Sequence, residues 1–363
     1  MKPILKLLKE GNPSRKTARG DARKLLHFLE RKREVLSPLL ILTHDYPDPD
    51  ALASSFAFAY LVKKNFNVYS RIVYGGIIGR TENQEMVKIL KMPVHKLKAN
   101  DLKKYAHVVL IDTQPEFKNN AFPADRRATL VIDQHPSTIK SSADYSIVDL
   151  ECGATSVILA QALLLSNIDI PRRIGTALAY GILTDTRNLY RAKRADIIKT
   201  YSALLPFCDM RVLANIQHPS RSRKFFITLG KCIKDALVCQ KLIVSHLGQV
   251  ENPDLVSQMT EFLLTYKGMR YAFCTGRFNE RIHFSFRATN PNALAANILR
   301  DIVKDPNQAG GHDSIAGGSF EVEKDGVGSA WKDAEESLTQ KLIERLNKSG
   351  KCSFYFPFTI TPA

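Results

Sequence analysis

The chain has 363 residues, 44% of them hydrophobic, enough for two or three domains with apolar cores. Its 52 Lys and Arg outnumber 36 Asp and Glu, for a formal net charge of +16; such a surplus draws polyanions, though a solvated charged face produces the same count. No window approaches the roughly 18 apolar residues needed to span a bilayer, and the charged N-terminus has no apolar signal-peptide core, so a cytoplasmic protein with no membrane partner is expected. Cys152, Cys208, Cys232, Cys239, Cys274 and Cys352 form no CxxC pair, which argues against a thiolate zinc site and a secreted disulfide framework; all six are expected to be reduced and mostly buried.

Residues 1–35 read as a basic helical leader, with Ile4, Leu7 and Leu8, then Leu25, Leu26 and Leu29, at helical spacing. From residue 36 to about 205, short apolar runs alternate with helical periods. Strands are expected at 38–43, 67–74, 107–111 and 128–132, and helices at 51–63, 82–90, 153–165 and 172–183. This rhythm predicts an α/β domain with a mostly parallel sheet. Residues 195–240 read as wholly helical, with 206–239 as a linker. Residues 240–350 read as a smaller α+β domain with strands at 242–246, 268–275 and 281–286, helices at 292–303 and 329–347, and a glycine-rich stretch between the helices. Residues 351–363 form a tail.

In an open α/β sheet, ligands bind outside the carboxyl ends of the strands. The first strand is followed by Thr43-His44-Asp45-Tyr46-Pro47-Asp48-Pro49-Asp50, the third by Asp112, the fourth by Asp133-Gln134-His135, and Asp185 stands in Thr184-Asp185-Thr186. Each ending alone is also an ordinary helix cap or solvated turn. Four in one domain, directed to one sheet edge, favour a metal cluster. Carboxylates with imidazole suit Mn²⁺, with Mg²⁺, Fe²⁺ and Co²⁺ as competitors, and two ions about 3.5–4 Å apart would clamp a phosphoryl displacement. In the second domain, Gly310-Gly311-His312-Asp313-Ser314 could bring backbone N–H groups and an imidazole to a phosphate, or could be a plain turn. Arg287 could fork onto a phosphate or pair with a surface acid.

These segments, in this order over residues 36–350, resemble the DHH phosphoesterase superfamily, and most closely its nano-RNase and pAp phosphatase branch. The resemblance implies that His44 and Asp48 bind a first metal and Asp50 and Asp185 a second, with Asp112 bridging the two. It implies that Asp133 orients the triplet, that His135 sits near substrate, and that Arg287, Gly310, Gly311 and His312 hold a substrate phosphate. There are two departures. Gln134 stands where the family has a metal-binding histidine, so the second site is expected to be weaker, shifted toward Mg²⁺, or empty. Arg187 follows Thr-Asp-Thr where many relatives have glycine.

The leading expectation is a Mn²⁺-dependent hydrolase, a phosphodiesterase or phosphomonoesterase with two ions. It would act by a metal-activated water on a short single-stranded oligonucleotide or small phosphorylated nucleotide (nano-RNA, pAp, or a linear or cyclic dinucleotide), and a homodimer is a reasonable assembly. A second reading is a catalytically weakened nucleotide- or RNA-binding protein of the same fold, for which Gln134 is the main support. A third is an exonuclease of longer substrates, with the leader as a nucleic-acid arm and a steep salt dependence.

Overall fold

Leu39-Leu40-Ile41-Leu42 is an unbroken apolar run closed by Thr43, the pattern of a strand covered on both faces, and all five residues are buried in β1 (Leu39–Thr43). The computed structural model describes residues 17–137, 139, 141–290, 292–312, 314–322, 330–347 and 352–359. The expected leader residues Ile4, Leu7 and Leu8 lie outside that set, as do Asp313 and the side chain of His312. The chain divides into two units, Met1–Pro219 and Ser220–Ala363; the division falls within the segment read as a linker.

The first unit is an α/β structure whose long helices cover one face of the sheet. It begins with α1 (Ala18–Lys32), β1, α2 (Pro49–Phe66), β2 (Ser70–Tyr74), α3 (Thr81–Ile89), β3 (Val94–Lys96), α4 (Asp101–Lys104), β4 (His107–Ile111), β5 (Ala128–Asp133) and β6 (Ala143–Val148). Then come α5 (Thr155–Leu165), α6 (Arg172–Asp185), α7 (Ala195–Leu204) and α8 (Met210–Gln217). The six strands order as β3-β2-β1-β4-β5-β6, and every pair is parallel. Successive side chains of a strand point to opposite faces. Leu39 and Ile41 therefore join Val109 and Ile111 in a core with α1, α2, α5 and α6, while Leu40 and Leu42 join Val108, Leu110 and Val131 on the other face. The strand order reverses between β1 and β4, which puts a crevice at their carboxyl ends.

Helix α1 comes from the segment read as the leader. Thr17 caps it by accepting from the Gly20 amide at 3.1 Å. Ala18, Ala22, Leu25 and Leu29 enter the same core as α5, and Phe28 stacks on Tyr145 with centroids 4.9 Å apart.

The second unit consists of α9 (Arg223–Lys234), β7 (Leu237–Cys239), β8 (Leu242–Gln249), α10 (Asp254–Leu264), β9 (Tyr271–Phe278), β10 (Arg281–Ala288), α11 (Ala295–Ile302), β11 (Ala309–His312), β12 (Ile315–Glu321) and α12 (Ala330–Leu346). Its sheet orders as β11-β12-β10-β9-β8-β7 and is antiparallel except for the β8–β9 pair. The two faces carry separate cores, one with α11 and α12 and one with α10.

Two expectations need correction, and the glycine-rich stretch takes a definite form. Residues 195–240 are not wholly helical: α9 ends at Lys234, and Leu237–Cys239 form an edge strand against β8. The glycine-rich stretch is a β-hairpin, β11 with β12, in which Gly310 faces Gly317 and Gly311 faces Ala316. The cysteines are not all reduced, since a disulfide joins Cys239 to Cys352. The tail returns beside β7, where Val238 and Tyr355 form an isolated antiparallel bridge, and this brings two cysteines 113 residues apart together.

Helix α6 crosses α2 and α5 closely because position 181 has no side chain. A Cβ there would stand 2.5 Å from Ser156 Oγ, 3.1 Å from Ala53 Cβ and 3.2 Å from Asp50 Cα. Gly181→Leu is expected to lower unfolding free energy by more than about 2 kcal/mol, read as a fall in melting temperature. Gly230→Ala, in α9 with nothing within 4 Å of its Cβ position, is expected to raise stability by about 0.5–1 kcal/mol through helix propensity.

Candidate metal centre

His44 and Asp112 follow the last residues of β1 and β4, the two strands on either side of the reversal in strand order. The backbone at Asp112 is left-handed, with φ 60°, a conformation that Asp tolerates better than bulky residues. Its amide still donates to the Ile132 carbonyl at 2.9 Å. Thr155 Oγ1 donates to Asp112 Oδ1 at 2.7 Å. Asp112 Oδ2 is buried and has no hydrogen-bond partner.

His44 faces that oxygen. Its Nδ1 lies 2.8 Å from the Asp45 carbonyl, an acceptor only, so Nδ1 carries the proton and Nε2 of the neutral ring presents a lone pair. Nε2 lies 3.7 Å from Asp112 Oδ2 and 3.8 Å from Asp48 Oδ1. A lone pair between two carboxylate oxygens is repulsive unless a proton or cation stands among them. Oxygen and nitrogen donors each about 2.1 Å from one ion stand roughly 3–4 Å apart, so His44, Asp48 and Asp112 could hold a divalent cation. The donor set and the orphaned Asp112 oxygen both fit such an ion. Asp48 also caps α2, accepting from the Ala51 amide at 2.9 Å, so the cap and ligand readings describe one side chain.

Asp133 ends β5. Its Oδ1 accepts from the Gln134 amide and from His135 Nδ1, both at 2.8 Å, and its Oδ2 accepts from Gln114 Nε2 at 2.7 Å. Gln114 also donates to the His135 carbonyl at 2.8 Å. With Nδ1 committed to Asp133, His135 keeps Nε2 for whatever approaches its half-exposed side. Asp112, Asp133 and His135 also offer three donor atoms close together.

Asp50 is fully buried in the first turn of α2. It sits on the amino end of α5, accepting from Thr155 N at 2.6 Å and Ser156 N at 2.8 Å, a position that helix dipoles favour for an anion. Asp185 ends α6. Gln134 lies between these acids: its Nε2 donates to Asp185 Oδ2 at 2.6 Å and is 3.4 Å from Asp50 Oδ2.

The electrostatics follow from this crowding. Burial and the Asp48 charge push Asp50 up to about 6. Burial and the neighbouring acids raise Asp112 and Asp185 well above the carboxylate range. Burial opposes the charge on His44, but Asp48 and Asp112 overcome it and hold the ring at about 9. Burial likewise opposes the charge on His135, and the bond to Asp133 with the Asp112 charge raises it to about 10. Burial would raise Asp48, yet the contact with His44 brings it to about 2.

In the second unit, Arg287 on β10 is nearly buried. Its Nη1 donates to the Phe286 and Ala316 carbonyls at 3.1 and 3.2 Å, and its Nη2 lies 3.3 Å from Glu261 Oε1. Gly310 has open space where a Cβ would be, whereas a Cβ on Gly311, at φ +146°, would collide with the Ile315 carbonyl at 2.2 Å. The backbone of His312 pairs with Ile315.

Sequence reasoning missed Gln114, Thr155, Ser156 and the pair Gly75-Gly76. A Cβ on Gly76, at φ +64°, would stand 2.9 Å from the Tyr46 ring, so the glycines let the 44–48 loop close. Gln114 is legible as a polar residue just past a buried strand. The others act on segments distant in sequence and leave no local mark.

No protein-family model matches the chain. It is 31% identical over 315 residues to an uncharacterized protein of Methanocaldococcus jannaschii, covering 86% of this chain and 63% of that protein. It is 30% identical over 165 residues to a probable manganese-dependent inorganic pyrophosphatase of Streptococcus equi subsp. zooepidemicus, covering 42% of this chain and 49% of that one. The chain thus spans between about half and under two thirds of the length of these relatives. Among solved structures, an exopolyphosphatase-related protein from Bacteroides fragilis superposes with a TM-score of 0.68 at 16% identity, over 90% of this chain and 98% of that one, so the two share a fold. No helix among the described residues is long and apolar enough to cross a membrane.

The raised acids make the metal-free protein pH-sensitive. A carboxyl whose folded pKa exceeds its unfolded value contributes stability below the unfolded pKa, and that contribution is lost as pH rises through the folded value. Asp50 loses its contribution between about 4 and 6, with Asp112 and Asp185 acting in the same direction. Asp48 changes only as pH falls toward 2, and His44 and His135 only as pH rises toward 9 and 10. The melting temperature of metal-free protein is therefore expected to fall from pH 4.5 to 7, reflecting a few kcal/mol. Mn²⁺ should restore more at pH 7 than at pH 5.

Proposed function

We propose that the chain is a divalent-metal phosphohydrolase of the DHH type, using Mn²⁺ and acting on a short oligonucleotide or small phosphorylated nucleotide. The carrying observation is the Nε2 face of His44 set 3.7 and 3.8 Å from Asp112 and Asp48, beside an Asp112 oxygen with no hydrogen-bond partner. The shared fold with an exopolyphosphatase-related protein and the partial likeness to probable manganese-dependent pyrophosphatases support phosphate chemistry and Mn²⁺. The +16 net charge suits an anionic substrate.

A divalent ion bound there would polarise a phosphoryl oxygen and lower the pKa of a bound water toward neutrality. The chain's own residues prepare that site. The Asp45 carbonyl fixes the His44 tautomer, and Thr155 holds Asp112 by one oxygen so that the other is free. Asp133, held by Gln114, keeps a proton on His135 Nδ1. Against the cost of burial, Asp133 and Asp112 hold the ring as an imidazolium, at about 10, so Nε2 carries a second proton that it can donate to a phosphate oxygen or to the leaving group. Gln114 also lines a cavity of about 500 Å³ with Arg127, Ser137, Ser141 and Tyr145, a volume that suits a small ligand. In the second unit, Arg287 and the Gly310–His312 strand are proposed to bind a phosphate.

The second reading, a binding protein that hydrolyses nothing, draws on Gln134, which bridges Asp50 and Asp185 with an uncharged amide. A substrate panel separates the two. With Mn²⁺, the native protein is expected to hydrolyse one of pAp, a linear dinucleotide, a cyclic dinucleotide or a short RNA. Asp112→Ala should lose at least about 10³-fold, and His135→Ala roughly 10²-fold in kcat. Binding of a member without turnover of any would support the second reading. A steep salt dependence of affinity, with a log–log slope of several units, would instead favour the exonuclease of longer strands.

A further inference from the structure

The carboxylates at this sheet edge are not equivalent. Asp112 Oδ2 is buried with no hydrogen-bond partner and faces the open nitrogen of His44 at 3.7 Å. Asp50, by contrast, is already satisfied by protein donors: Thr155 N on Oδ2 at 2.6 Å, and Ser156 N and Ser54 Oγ on Oδ1 at 2.8 and 3.4 Å. Asp185 Oδ2 receives Gln134 Nε2 at 2.6 Å, and the same nitrogen reaches Asp50 Oδ2 at 3.4 Å. The group that Gln134 presents to both acids is therefore its NH₂, which has no lone pair to offer a metal. Among the described residues, the groups able to hold an ion are His44 with Asp48 and Asp112, and Asp112 with Asp133 and His135. Neither includes Asp50 or Asp185. In the second group, the 2.8 Å contact of His135 Nδ1 with Asp133 is a hydrogen bond, leaving no room for a cation between those two atoms.

Resting on the phosphohydrolase reading, we infer that the Gln134 amide takes the place of a second cation, so that the centre holds one divalent ion, on His44, Asp48 and Asp112, and selects phosphodiesters over inorganic pyrophosphate. The charge argument is direct. Asp48, Asp50, Asp112 and Asp185 together bring four negative charges when ionised. Two divalent ions would neutralise them and leave room for a highly charged anion. One divalent ion and a neutral amide supply half that positive charge, which serves the single charge of a diester better than the three to four charges of pyrophosphate.

The test is metal stoichiometry with the full chain, using Mn²⁺ as the probe. Bound metal is measured by equilibrium dialysis, and the electron paramagnetic resonance spectrum distinguishes an isolated ion from a coupled pair. The native protein should bind one Mn²⁺ per chain with the spectrum of an isolated ion. Gln134→His should bind two with a coupled spectrum, and Gln134→Glu serves in its place if that variant does not fold. The native protein should also turn over a dinucleotide at least roughly tenfold faster than pyrophosphate in kcat/KM. Two coupled ions in the native protein would overturn the inference and leave the phosphohydrolase reading standing. A single ion in both folded variants would overturn the role given to Gln134. Faster pyrophosphate hydrolysis would overturn the selectivity. No bound Mn²⁺ at millimolar concentration would overturn the inference together with the phosphohydrolase reading.

Discussion

The first unit packs Asp48, Asp50, Asp112 and Asp185 near one another at the carboxyl edge of a sheet, where two of them are removed from water. Like charges in a low-dielectric setting repel strongly, so the fold has to neutralise, solvate or protonate each one. The solutions differ by residue. Asp50 rests on the amino end of α5 and accepts two backbone N–H groups. Asp185 takes the Gln134 amide. Asp48 caps α2 and meets His44. Asp112 retains an oxygen for which the protein offers no hydrogen bond. The arrangement is close to balanced everywhere except at the one point where the His44 lone pair also arrives.

That point is where the topology dictates. Parallel β1 and β4 are neighbours, and the chain leaves them toward opposite flanks of the sheet. The loops after these two strands therefore diverge, and their first residues, His44 and Asp112, line the gap. Close helix packing then carries acids from elsewhere to the same edge. Gly181 lets α6 approach the backbone of Asp50, which sets the end of α6, and with it Asp185, beside Gln134. A larger side chain at 181 would disturb the core and the acidic edge together, so stability and site geometry are coupled through one small residue.

Much of this is legible in the amino-acid sequence. His44, Asp48, Asp112, Asp133 and His135 announce themselves because each follows or ends an apolar run, and strand ends are where a parallel sheet places its chemistry. The α/β class followed from the alternation of those runs with helical periods. Other features were hidden for identifiable reasons. Strand β6 has only Ala143 and Ile147 fully buried, interleaved with exposed Asp144 and Ser146, so it lacks the solid apolar run of β1. The β11–β12 hairpin is rich in glycine, which favours turns over strands, yet Gly318 is required there because a Cβ would meet the Gln308 carbonyl at 2.0 Å. The Cys239–Cys352 link depends on the tail returning 113 residues later, a tertiary event without a local signature.

Gln134 also shows the limit of reading a motif as a set of interchangeable letters. As a sequence departure, a glutamine at a metal position reads as a weaker ligand, because an amide oxygen can coordinate a hard cation. In the folded chain the amide meets two acceptors, Asp185 and Asp50, and an amide facing acceptors presents its nitrogen. The same side chain thereby changes from a poor donor to a metal into a donor of hydrogen bonds to the acids a metal would have joined. Its neighbours on either side keep roles that need no second ion. Asp133 is saturated by Gln114, His135 and the Gln134 backbone, and His135 is held with one nitrogen facing outward. On the proposed one-ion reading, an amide in the middle of a tightly bonded triplet lowers the positive charge of the centre by two units while the bonds of both flanking residues stay in place.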